Sequence, residues 1–219
     1  MQLERLMTDK KTVNYPQVRS ELLVMLSNDQ SKIKEYTRAQ FNKEEPIQLA
    51  KLKASITRQS KNHIKRTLEI LNTIEPTIDN IGDDGTEAIA VIALHSNYKD
   101  MKSVLKILKD TYKIYPKNTY KQAIPALKDR VLIIEHKKQI FGTQWGYDES
   151  SNTWYLFPVK NFKGLSKLRA NYGLGKLLIP INVALEDSKN PTIRTLATSK
   201  DQRLISEEEY KEYARNFID

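Results

Sequence analysis

The 219-residue chain has no cysteine, seven glycines, three histidines and two tryptophans. Without cysteine there are no disulfides, no thiolate metal sites and no cysteine nucleophile. The few glycines form neither a Walker-type loop nor a G-x-G-x-x-G turn. G-x-S-x-G and H-E-x-x-H are absent as well. The "GDDG" at 82–85 lacks the further oxygen ligands of a calcium loop. No apolar run approaches the roughly 18–20 residues that span a bilayer. The opening "MQLERLMTDKK" is charged and has no apolar signal core, so a cytoplasmic protein without a membrane partner is expected.

The chain does have charge, and it is unevenly spread. The formal net charge is +9; residues 1–66 carry 14 basic and 7 acidic side chains, whereas residues 67–148 carry 11 of each. A basic N-terminal third suits nucleic acid or another polyanion. It equally suits a solvated helical surface. Heparin retention and a steep salt dependence would separate the two.

Helical periodicity dominates the first two thirds of the chain. Val18, Leu22, Met25, Leu26, Ile33 and Tyr36 predict a helix over residues 17–41, opened by Pro16. A second is expected from Pro46 to Asn72, with Leu49, Leu52, Ile56, His63, Leu68 and Leu71 towards one side. Pro76 stops it. Ile78 and Ile81 suggest the anchors of a short loop ending at Gly82. The run Ala88–Leu94, apolar all round, predicts the buried centre of the domain. Residues 100–113 read as amphipathic. A further helix reaches about His136, begun either by a Thr119/Gln122 capping box or by Pro125 in its first turn.

The period then falls to two. "QIFGTQWGY" and "TWYLFPV" flank the turn-like "DESSN", which predicts a β-hairpin. In that strand Gln139, Phe141 and Thr143 share one face, and Ile140, Gly142 and Gln144 the other. Residues 164–175 suggest a loop or short helix, Leu177–Val183 a strand, and Ser206 the cap of a last helix. The expected fold is mainly α: a helical domain with an appended β-hairpin over residues 1–178, then a small irregular α+β extension over 179–219.

Several polar residues could carry chemistry. His95 follows seven apolar residues on the most buried helix, where imidazole can shuttle a proton or merely satisfy the core. Neither H-x-x-x-H nor E-x-x-H surrounds it, so no metal and no cofactor is expected. Asp129 and Arg130 are neighbours on a helix and point about a hundred degrees apart. That suits Arg130 reaching an anion while Asp129 braces a loop, or else a surface ion pair. Gln139, Thr143 and Gln144 offer donors and acceptors but are poor nucleophiles. Gly142 would allow a close approach by a ligand or by backbone.

Taken in order, "NDQSK", "EPT", "NIG", "LHSN", "LKDR", "QIFGTQ" and "LFPV…LRANYGL" resemble the motif series of an uncharacterised bacterial domain family. That series runs D-Q, G-W-P-T, V-G, Q-H-A-D, L-x-D-R and Q-x-Y-G-T-Q, then a late P…R…G-L segment. The resemblance spans roughly residues 20–178. The chain departs from it at Glu75, Leu94, Asn97 and Phe141. The resemblance implies no activity, but it implies a grouping of Asp29, Gln30, His95, Asp129, Arg130, Gln139, Thr143, Gln144 and Arg169 around one pocket. The expectation is a small-molecule enzyme with His95 and Asp129 as catalytic residues and the others holding a polar or anionic substrate. The alternatives are a ligand- or protein-binding module without turnover and, last, a nucleic-acid binder.

Overall fold

A computed structural model describes residues 12–148, 153–180 and 193–195. The fold is mainly helical. α1 spans Pro16–Phe41, α2 Pro46–Leu71, α3 Ile78–Leu94, α4 Tyr98–Ile114 and α5 Ala123–Ile134; a short α6, Leu165–Asn171, follows later. Pro16 and Pro46 each stand in the first turn, where a missing N–H costs nothing.

α1 and α5 stop in the same way. His136 lies at φ 56°, its N–H reaches the Ile133 carbonyl and the Lys137 N–H reaches that of Leu132. Lys43, at φ 52°, does the same for α1 through Gln40, with Glu44 reaching Ala39. These are left-handed caps that satisfy the last carbonyls. The third histidine of the chain is thus a helix terminator.

α3 is the centre, packed against α1, α2, α4 and α5. Its Ile81, Ile89 and Ile92 join Leu22, Met101, Leu108 and Leu127 among the most buried side chains. A second, smaller core of Leu156, Val159, Leu165 and Leu177 lies beside α6, with Trp145 and Phe162 against it. The basic excess of the N-terminal third sits partly on α2, where Lys51, Lys53, Arg58, Lys61 and Lys65 are all exposed.

Four local expectations need correction. Ile78–Ile81 form a helical turn rather than a loop, capped by Thr77, and α3 continues past a kink at Gly82, φ 78°. Of the two starts expected for α5, Pro125 does stand in the first turn, whereas the Thr119/Gln122 box does not form, because the Thr119 hydroxyl donates to the Tyr115 carbonyl and Gln122 makes no side-chain cap. The hairpin is shorter than its alternation suggests: β1 is Trp145–Asp148, paired antiparallel with β2, Thr153–Leu156. Residues 140–144 form no strand, and Gln139 makes one isolated parallel bridge to Val159.

The expected strand over 177–183 is present in part as β3, Leu178–Pro180, antiparallel to β4, Ile193–Thr195. The rest of that expected strand, after Pro180, and the helix expected from Ser206 lie outside the described residues.

Candidate functional site

Of the nine candidate residues, six gather around the segment 139–144. Asp129 is fully buried on α5. Its Oδ1 accepts from the Ile140 and Phe141 amides at 2.7 and 3.0 Å. Its Oδ2 accepts from the Thr143 amide and hydroxyl at 3.0 and 2.9 Å. Burial pushes this carboxyl above its ordinary range, and those four donors pull it back. Asp129 therefore does to the segment what a partner strand would otherwise do.

Gln139 is equally buried. Its amide donates to the Gln144 and Phe157 carbonyls at 3.1 and 2.7 Å, and its oxygen accepts from the Gln144 N–H at 3.0 Å. Arg130 donates through Nε to Gln144 Oε1 at 2.5 Å. Arg169 spends its guanidinium on the carbonyls of Phe141, at 2.8 Å, and Gly175, at 2.9 Å. Burial lowers its pKa, while the charge of Asp129 acts in the opposite sense.

These polar groups hold one another and the backbone. The close approach expected at Gly142 is real but intramolecular. A Cβ there would meet Leu165 at 3.3 Å and Leu177 at 3.4 Å, at a φ of +68°. The room read as a guest's is filled by two leucines.

The remaining three, Asp29, Gln30 and His95, meet elsewhere. α1 and α3 run side by side in the same direction, clasped at one end by Arg19 Nη2 on Asp84 Oδ2 at 2.6 Å. The offset of 65 between those residues predicts a partner for Asp29 near residue 94 or 95, and His95 is that partner. The imidazole Nδ1 lies 2.5 Å from Asp29 Oδ2, with side-chain exposures of 30% and 3% respectively. The Gln30 amide donates to the same oxygen at a long 3.5 Å.

His95 is the C-terminal cap residue of α3. The chain turns away at once: the Ser96 hydroxyl donates to the Ala93 carbonyl at 2.7 Å, and Asn97 caps α4 by accepting from the Asp100 N–H. An ionised carboxylate only accepts, so Nδ1 carries a proton and Nε2 is left to take or give one. That is the geometry of an oriented general acid or base.

The charge of Asp29 also reaches His63 on α2, whose pKa burial lowers and Asp29 raises. In sequence His63 reads as one more residue on the inner side of α2. The signal that singles it out is the spacing of Gln59, His63 and Thr67 at every fourth position on that side. Among the described residues no cluster of three His, Asp or Glu has the geometry to hold a metal ion. No described helix is long and apolar enough to cross a membrane.

No curated protein and no solved structure matches the chain. The model of a family of unknown function, DUF6624, matches residues 16–191 and so runs from the first residue of α1 to beyond β3. With most of its length inside that match, the chain belongs to the family of unknown function DUF6624.

Proposed function

We propose that the protein is a small-molecule enzyme acting on a polar substrate, with His95 as its general acid or base and Asp29 as the residue that orients it. One observation carries the reading: a partly exposed imidazole held through Nδ1, at 2.5 Å, by an almost wholly buried carboxylate. With Nδ1 committed to the carboxylate, Nε2 is the nitrogen left for proton transfer to a bound molecule.

The anionic-substrate version of this reading leaned on Arg130 and Arg169. Both donate to the 139–144 segment or its neighbours, so they lend it little support. The Asp129 cluster serves instead as the scaffold that fixes the segment after α5.

The test is depletion of metabolites from a small-molecule cell extract, followed by mass spectrometry. The wild-type chain is expected to consume at least one metabolite. His95→Ala should abolish the consumption, and Asp29→Asn should slow it by about 10²- to 10⁴-fold. Consumption that survives His95→Ala would refute the assignment.

A second reading, a ligand-binding module without turnover, draws on the residues flanking His95. Leu94 packs against the core and Asn97 is occupied as a helix cap, so neither supplies a second proton-transfer group. Retention of a metabolite by the protein without its consumption would favour that reading.

A further inference from the structure

Two cross-helix contacts fix how α2 lies against α1. Arg66 Nε donates to Glu21 Oε1 at 2.6 Å and Lys32 Nζ to Ser55 Oγ at 2.7 Å, and each pair's numbers add to 87. The two helices are therefore antiparallel in a single register. That register brings Gln59 to within one residue of the level of Asp29, with His63 one turn further along. Because α1 and α3 share an offset of 65 to 66, His95 stands at the same level. Asp29, His95 and Gln59 thus come from three different helices to one height in the bundle.

Gln59, His63 and Thr67 form a single row on α2. Gln59 Nε2, His63 Nδ1 and Thr67 Oγ1 are all buried, and none has a hydrogen-bond partner. Thr67 is fully buried. Buried polar atoms in folded proteins are nearly always partnered. By the same register Thr67 lies level with residue 20 of α1, away from the histidine, whereas the orphaned atoms of Gln59 and His63 lie at or within about a turn of the Asp29–His95 level and are open to a partner other than this chain's own atoms.

We propose that Gln59 and His63 are the substrate-contacting wall of the site, facing the Asp29–His95 pair, and that the molecule they take is an uncharged hydrogen-bonding one such as an amide or a polyol. This rests on the reading of His95 given above. The donor set supplies the chemical class. Gln59 Nε2 donates, and a neutral imidazole offers one donor and one acceptor. Burial favours the neutral form of His63. An anion placed here would face the carboxylate of Asp29.

The experiment is a titration of isotope-labelled full-length protein with acetamide, glucose or inorganic phosphate, following the ring signals of His63 and His95 by NMR. Acetamide or glucose is expected to move both rings together, and phosphate neither. In Gln59→Leu, which removes an orphaned donor and should fold at least as well, the apparent affinity for the neutral probe should fall about tenfold. Movement of His95 alone overturns the α2 wall and leaves the His95 reading intact. Movement of neither ring with any probe overturns both, and a response to phosphate in preference to the neutral probes overturns the uncharged class.

Discussion

Asp129→Asn keeps size and shape, replacing one carboxylate oxygen by an NH2 group. The surviving oxygen can still accept from the Ile140 and Phe141 amides, which lie 2.7 and 3.0 Å from Oδ1 in the native chain. The new NH2 then faces the Thr143 amide, previously 3.0 Å from an acceptor. The Thr143 hydroxyl can rotate and accept, so one N–H loses its partner. Leaving one such donor unmet costs about 1–3 kcal/mol. Loss of the charge weakens the two remaining bonds by about 0.5–1 kcal/mol each.

Opposing these terms, a neutral side chain no longer suffers the desolvation that pushes the Asp129 carboxyl up. The donors outnumber that single relief, and we expect a net loss of about 2–3 kcal/mol. For a chain of this length that lowers Tm by about 4–12 °C. Calorimetry at neutral pH reads the shift, and amide exchange should show residues 140, 141 and 143 losing protection together. A Tm within one degree of wild type, with those three amides as protected as before, would refute the claim that the carboxylate holds the segment.

Gly142→Ala is expected to destabilise by about 1–3 kcal/mol, since it combines a left-handed φ of +68° with a Cβ 3.3 Å from Leu165; urea denaturation gives the number. The depressed pKa of His63 means that the unfolded chain binds the proton more readily than the native one. Stability from this residue is whole above the unfolded value of about 6.5 and falls as the pH drops below it. The urea midpoint should therefore decline from about pH 7.5 to about pH 5.5, and His63→Gln should flatten that decline.

The helices were legible because their signals are local. Pro16 and Pro46 open α1 and α2, and the uniform apolarity of Ala88–Leu94 identifies α3 as the central element. The segment Gln139–Gln144 was not legible as what it is. Its alternation is genuine, but the acceptor for its amides is a carboxylate 11 to 14 residues earlier on α5. Nothing in a two-residue period distinguishes an amide satisfied by a side chain from one satisfied by a strand.

The motif residues were expected around one pocket, and the structure instead places them in two groups. Asp129, Arg130, Gln139, Thr143, Gln144 and Arg169 meet around one segment, while Asp29 and His95 meet between α1 and α3. The departure at Asn97 has a simple physical account. It caps α4, and asparagine and aspartate do that work equally well.

The two bridges between α1 and α3 lie ten or eleven residues apart, about 15 Å along the helix axes. Neither rod can slip lengthwise past the other without opening both. The remote arginine–aspartate clasp thus works as a ruler, setting the imidazole-to-carboxylate spacing from the opposite end of the bundle.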